Sequence, residues 1–385
     1  MLGEHYICKP DELSAEDRQR WLAVQQANPL WCSPFLHPQF AKIVYQARPD
    51  TRILIAKDQK GRRAWFAFHQ LSGGLARPVG APISDHQGMV QEPGFDIPIP
   101  ELFAAAGIGA LPFTAWSGTD AAMAASYNGQ ENTQLIDLSQ GAETYFAAQQ
   151  KQHHKYFKKM RQRARAVIRD HQSVELVTKP DDELLDVLFE WKHEQFTRTG
   201  KLDVLKVKWI REVLLGCYAS TEPDFRAALF GYRVDGKWAA AELGLLANGI
   251  YHAWIVAYDP EFSRVSPGLL LLHGVIENCQ QLGINQMDLG RGHDHYKKYY
   301  TSSNLPLQTG CLLQSGSAAR QRKIVTAICN GFARLPLGKL GRLPSRLDGS
   351  LDYIAACHPK RSDQFGAFSD GIARKFRTKM QGNSS

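Results

Sequence analysis

Hydrophobic positions between residues 182 and 289 change their period in a definite order. Leu184, Leu185, Leu188 and Trp191 recur at helical spacing, so residues 182–196 predict an amphipathic helix, and residues 207–218 predict a second. From residue 225 the pattern alternates. Residues 225–234, 237–246 and 250–258 predict three antiparallel strands. Asp235-Gly236 between the first two suits a type I′ turn, whose two central residues need positive φ, and Asn248-Gly249 marks the second hairpin. Residues 269–282 then form an apolar run that stops at Gly283, which predicts a helix. Residues 284–289 predict a short strand ending at Gly290-Arg291-Gly292.

The loop between the third strand and the apolar helix carries the first chemistry. Tyr258 leads into it, and Arg264, Val265, Ser266, Gly268 and Leu269 form its end and the start of the helix. A strand, a tight loop and a helix N-terminus present unpaired N–H groups and about half a positive charge, which suits an anion. Arg264 adds a full charge. A phosphate-rich carrier such as coenzyme A is the expected ligand, and a plain turn with proline at the helix start is the competing reading.

Helix, helix, three strands, helix, strand is the element order of a GNAT acyltransferase domain. Residues about 150–303 resemble the acetyltransferase domain of the CelD-type family, associated with cellulose and exopolysaccharide biosynthesis. The matching pieces are Trp191-Lys192-His193-Glu194-Gln195-Phe196 with Thr199-Gly200, and Asp235-Gly236-Lys237-Trp238-Ala239-Ala240. Tyr258-Asp259, Ser266-Pro267-Gly268, Met287-Asp288-Leu289-Gly290 and Tyr296-Lys297 follow in the same order. The family is similar to the Fem-type transferases, built from two GNAT-like halves. The resemblance implies a mixed α+β fold with a mostly antiparallel sheet flanked by helices, and two GNAT-like halves in tandem. It also implies acetyl-CoA as co-substrate, and it puts Lys297 in the active site. The loop departs from the common GNAT pattern: Pro267 stands where a glycine is expected and lacks an N–H.

Acyl transfer needs a base for the acceptor's proton and donors for the charge that develops on the thioester. Asp288, at a strand end before Gly290, is one candidate base; capping the next turn is its alternative. Glu242 is the other. It lies in an apolar strand, where a carboxylate must be paired, for instance with Arg264, or carry a raised pKa. Lys297 is the candidate for oxyanion or acceptor-phosphate binding. Gln195, Lys192, His252 and Tyr296 are the acceptor-side candidates. His293 and His295 alternate in a loop without further ligands, so no metal is expected.

Residues 52–56 and 65–71 predict two strands before a Pro- and Gly-rich stretch at 77–82, which reads as a degenerate GNAT-like half or as an unrelated cap. The expected organisation is residues 1–148 as that half, 149–312 as the acetyltransferase domain and 313–385 as a basic extension. From Gln314 onward there are 13 Lys and Arg against 4 Asp and Glu, a net +9, while the whole chain carries +8, so the rest is close to neutral. Ile324, Val325, Ile328, Phe332 and Leu335 lie at helical spacing there, with Arg320, Arg322, Lys323 and Arg334 beside them. Such a segment suits anionic lipid headgroups or a helix docked on the domain. A second basic run, Lys151 to Arg169, holds eight Lys and Arg and no acid. It suits a solvated helix face or a phosphate-bearing acceptor. Seven scattered cysteines without a CxxC pair, and no signal-like or membrane-spanning run, point to a cytoplasmic protein, at most peripheral at the inner membrane face.

The expected function is transfer of an acyl group from a coenzyme A thioester to a sugar of an extracellular polysaccharide or its lipid-linked precursor, with no specific nucleic acid partner. An aminoacyl-tRNA-dependent transferase and a silent GNAT scaffold are the alternatives.

Overall fold

A computed structural model describes residues 3–292, 294–335, 340–341, 343–360, 362–364 and 366–367. The chain opens with β1 (Glu4–Cys8), α1 (Ala15–Ala27) and α2 (Pro38–Ala47). Strands β2 (Thr51–Lys57), β3 (Arg63–Gln70), β4 (Ala76–Pro78) and β5 (Val90–Gln91), helix α3 (Ile99–Ala105) and β6 (Ala110–Ser117) follow. Next come β7 (Tyr127–Asp137), α4 (Gly141–Gln152) and α5 (His154–Asp170). The order then repeats: β8 (Val174–Val177), α6 (Glu183–Thr199), α7 (Lys208–Tyr218), β9 (Phe225–Val234), β10 (Lys237–Ala247), β11 (Ile250–Tyr258), α8 (Pro267–Glu277), α9 (Cys279–Leu282) and β12 (Gln286–Asp288). The chain closes with α10 (Lys297–Tyr300), β13 (Ser303–Leu313), α11 (Gly316–Arg334) and α12 (Leu343–Cys357).

Both passes read strand, two helices, antiparallel strands, helix, strand, the order expected of two GNAT-like halves. The hairpin dipeptides do what their chemistry requires: Asp235 and Asn248 sit at φ 50° and 53°, each followed by a glycine at positive φ. The apolar run 269–282 is two helices rather than one. Asn278 breaks it by donating its side-chain amide back to the Gly274 carbonyl at 2.8 Å.

β1 to β5 form one sheet, and the other eight strands form a second in the order β6-β13-β7-β12-β11-β10-β9-β8. The closing strands are exchanged. β7, last strand of the first pass, pairs with β12, whereas β13 pairs with β6 as well as β7. The larger sheet therefore runs across residue 148.

Alternation along the strands divides the core. Ile53, Ile55 and Trp65 of the small sheet, and Leu243, Leu245 and Ile255 of the large one, turn toward α1, α2, α6 and α7, which fill the space between the halves. The opposite face of the large sheet, with Ala240, Leu246 and Tyr251, packs on α8. One face of β10 and β11 thus looks at the partner half and the other at α8. Adjacent residues on one strand can therefore serve different sides of the same opening.

The tail is attached to the body. Trp209 donates its indole N–H to the Cys357 carbonyl at 2.7 Å, and Arg48 reaches the Ala356 carbonyl at 3.0 Å. Asp352 is held by Arg77 at 2.6 Å and by Arg322. No helix of the described residues is long and apolar enough to cross a membrane.

Candidate active site

β11 and β12 run parallel for three residue pairs, the last being His252 and Asp288. Beyond that pair β11 continues to Tyr258, whereas β12 ends and the chain turns away through Gly290 at φ 72°. The result is a wedge with an open strand edge. Six residues of β11 line it, about 20 Å at the usual rise per residue.

A buried polar cluster closes the base of the wedge. Asp288 accepts from the Gly290 N–H at 2.7 Å and from the Thr133 hydroxyl on Oδ1, and its Oδ2 lies 2.7 Å from His86 Nε2. His252 sits beside it. Its Nε2 is 3.1 Å from Asp85 Oδ2, while its Nδ1 is 3.3 Å from Asp288 Oδ2 but off the line of a hydrogen bond. Arg291 closes the outer side with an ion pair to Asp85 at 3.4 Å and a hydrogen bond to the Thr114 carbonyl at 2.7 Å. Burial disfavours charge on His252, Asp85 and Asp288, yet opposite charges prevail. Burial would push His252 down, but Asp288 and Asp85 raise it to about 9. Burial would push Asp288 up, but His252 and His86 hold it well below the ordinary carboxylate range. At neutral pH this is an imidazolium between two carboxylates.

Asp288 is therefore a poor proton acceptor: both oxygens are engaged and its charge is stabilised. The capping alternative also holds, since Gly290 donates to it. Glu242 differs. It lies on the α8 face, forms no ion pair with Arg264 or any other described residue, and accepts from the Tyr251 hydroxyl at 2.8 Å through Oε1. Burial raises its pKa to about 7, against the opposing pull of Tyr251 and His252. Lys297, with a pKa lowered by burial, donates to the Arg291 carbonyl at 2.7 Å and the Gly290 carbonyl at 3.3 Å, and pairs with Asp294 at 3.6 Å. It pins the loop that leaves β12.

The expected phosphate loop lies at the far end of β11. Pro260–Val265 is a 3₁₀ turn capped by Asp259, Ser266 is left-handed at φ 56°, and α8 begins at Pro267. Leu269 and Leu270 both donate to the Ser266 carbonyl, and Pro267 has no N–H, so Gly268 offers the free donor of this turn among the described residues. Arg264 and Tyr258 stand exposed, Val265 and Leu269 are half-buried, and Arg163 of α5 donates to the Ser266 hydroxyl at 2.8 Å. A Cβ built on Gly268 would meet nothing within 4 Å, so the space against its backbone is open. A free donor, two guanidinium groups and open space fit a pyrophosphate, though with fewer N–H groups than a glycine-rich loop supplies.

The acceptor-side candidates separate. His252 belongs to the polar cluster. Gln195 shares a shallow pocket with Trp191, Glu194, Arg198 and Tyr258, and its buried Oε1 has no partner. Lys192, lowered to about 8 by burial, donates to the Val256 carbonyl at 3.1 Å. Tyr296 packs on the α8 side, where burial and then Glu242 raise its pKa. Of the histidines weighed for metal, His293 lies outside the described residues. Among the described residues, the trio whose ligand atoms lie within 4.8 Å of one another is instead His86, His252 and Asp288.

Asp85, His86 and Thr133 escape the sequence analysis. They come from the first half, beside no motif, and only the fold carries them to Asp288. The Pro- and Gly-rich stretch at 77–82 that leads directly to Asp85 was the available signal.

Residues 154–298 match the acetyltransferase (GNAT) domain family. No curated protein matches the chain. Among solved structures, a conserved protein of unknown function from Bacteroides thetaiotaomicron is similar at 11% identity and a TM-score of 0.52, covering 81% of this chain and 100% of that one. FemX is similar at 11% identity and a TM-score of 0.51, over 80% of this chain and 96% of its own. The C-terminal domain of a putative lysylphosphatidylglycerol synthetase from Agrobacterium fabrum aligns over 82% of this chain and 96% of its own, at 14% identity and a TM-score of 0.45.

Proposed function

We propose that this chain, whose residues 154–298 match the acetyltransferase (GNAT) domain family, is an acyltransferase with its work divided as follows. The wedge between β11 and β12 receives an acyl-coenzyme A thioester, with its pyrophosphate at Gly268, Arg264 and Arg163. The exposed edge of β11 offers backbone groups to the amides of the pantetheine arm, as a sheet edge does to an added strand. The thioester supplies the activated acyl group. The observation that carries this reading is the parting of the two strands at the His252–Asp288 pair, with charged groups buried at that point.

The proton chemistry follows from the two faces of the strands. Glu242, with a pKa near 7, is half ionised at neutral pH and takes the acceptor's proton. His252, cationic below about 9, and Lys297 present positive charge where the thioester oxygen and sulfur become negative. Asp288, His86 and Thr133 hold His252 in place. Asp288 thus has a positioning role instead of the base role weighed for it.

The acceptor that best suits this basic chain is a sugar hydroxyl or amine, in a polysaccharide or a phosphate-bearing lipid-linked precursor. The exposed Lys155, Lys158, Lys159 and Arg165 of α5, on the helix that touches the phosphate loop, supply the attraction. The same observation favours a second reading, an aminoacyl-tRNA donor. Calorimetric titration with acetyl-CoA and with charged tRNA tests both: heat with the first and none with the second supports acyl-CoA, and the reverse result rejects it.

A further inference from the structure

Nine of the fourteen large apolar side chains that stand exposed among the described residues lie between Ile324 and Tyr353. They are not scattered. Ile324, Ile328 and Phe332 follow one another at every fourth position of α11, and Leu343, Leu347 and Leu351 do the same on α12. Residues four apart share a helix face, so each helix presents an apolar row.

The two rows are in register. Arg322, near the start of α11, bonds Asp352, near the end of α12. At the other end Gly341 sits against the carbonyls of Phe332 and Leu335. The helices therefore run antiparallel, which brings Ile324 level with Leu351, Ile328 with Leu347 and Phe332 with Leu343. α11 buries only Ala319 and Cys329, and α12 buries Ile354, Ala356 and Cys357 at its end. The rows themselves face solvent. The sequence reading in which this stripe docks on the domain is therefore not what the fold does with it.

Charge selects the occupant. α11 carries Arg320, Arg322, Lys323 and Arg334 and no acid. Arg320 continues the apolar row one turn earlier, and Arg320, Lys323, Arg334 and Arg346 are all exposed without an ion pair among the described residues. Asp352, one of two acids on α12, is already neutralised by Arg77 and Arg322. An apolar surface rimmed by unpaired cations, on two antiparallel helices tied to the body near residues 352–357, matches a lipid monolayer with anionic headgroups. We propose that the α11–α12 hairpin is a membrane-surface anchor, inserting its two leucine- and isoleucine-rich rows between the acyl chains of an anionic bilayer. The hairpin is tied to the first half through Arg48 and Arg77, so insertion fixes the orientation of the whole molecule on the membrane.

The test is sedimentation of the full-length protein with phosphatidylcholine vesicles, with and without phosphatidylglycerol. The wild type should pellet with the anionic vesicles, and less so as salt is raised. Ile328→Glu and Leu347→Glu should each stay in solution with an unchanged circular dichroism spectrum, because both side chains are exposed in the folded protein. Replacing Arg320 and Lys323 together by Glu should weaken binding to anionic vesicles by roughly tenfold or more, at about 1 kcal/mol per charge near the surface. In Ile328→Trp the indole emission should shift to the blue on adding anionic vesicles. Wild type that stays free of both vesicles at low salt would overturn the proposal. So would a concentration-dependent dimer that Ile328→Glu dissociates, which would make a second copy the occupant of the rows.

Discussion

Asp85 of the first half meets His252 of the second across the interface, carboxylate Oδ2 to imidazole Nε2 at 3.1 Å. Neither half holds a complete cluster. Asp85, His86 and Thr133 come from one pass of the fold, His252, Asp288 and Arg291 from the other. The exchange of β7 and β13 holds the two together, because Thr133 rides on β7 directly beside β12.

This coupling predicts a pH signature in stability. His252 has a folded pKa of about 9, above the ordinary 6.5, so its protonation stabilises the fold fully below 6.5, and the gain is lost as pH rises to 9. For a fully buried group the shift corresponds to a contribution on the order of 3 kcal/mol. Other buried histidines, such as His69 and His273 at about 4, act in the opposite direction. The readable quantity is therefore a difference. Thermal unfolding of the wild type and of Asp85→Asn should differ most near pH 6, and the gap should close toward pH 9.5. A gap that stays constant across this range would mean that Asp85 does not hold the His252 charge.

Glu242 should set the pH dependence of turnover. With a pKa near 7 its basic form accumulates as pH rises, so kcat of the wild type should climb through neutrality and level off. Glu242→Gln should lose about 100-fold or more in kcat while acetyl-CoA binding stays intact. Asp288→Asn should also lower kcat, but by disturbing His252, and an NMR titration should then find the His252 imidazole below 9. Near-wild-type turnover in Glu242→Gln would move the base elsewhere.

Ending the chain at Gln314 should destabilise the protein. Trp209, Arg48 and Arg77 would each lose a partner on α12, leaving buried donors unpaired at about 1–3 kcal/mol each. A melting temperature lowered by several degrees is expected, and an unchanged one would mean that α12 is not held as described.

Much of the second half was legible because its signals are local. The Asp235-Gly236 and Asn248-Gly249 turns, the period of two between them and the apolar run after Ser266 depend only on neighbouring residues. The break at Asn278 was hidden, because a side-chain bond to Gly274 interrupts a run that stays apolar throughout. The chemistry was legible in part. Glu242 stood out as a carboxyl in an apolar strand, and its raised pKa has that cause. Asp288 was singled out by its place at a strand end, but its engaged oxygens depend on Thr133 and His86, which lie 155 and 202 positions away. No pattern along the chain reports such a pairing. The separable tail was expected from charge alone, and charge does not report the bonds that Arg48, Arg77 and Trp209 make to it.

Gly268→Val probes whether acyl-CoA binds at the start of α8. Gly268 has ordinary backbone geometry and open space around its missing side chain, so valine should leave the fold untouched by circular dichroism and melting temperature. The same side chain would fill the space that a pyrophosphate needs against the backbone. Titration calorimetry should find acetyl-CoA binding in the wild type and no measurable binding in the variant. Equal affinity in both would contradict the account, and with it the placement of the thioester in the wedge above His252 and Asp288.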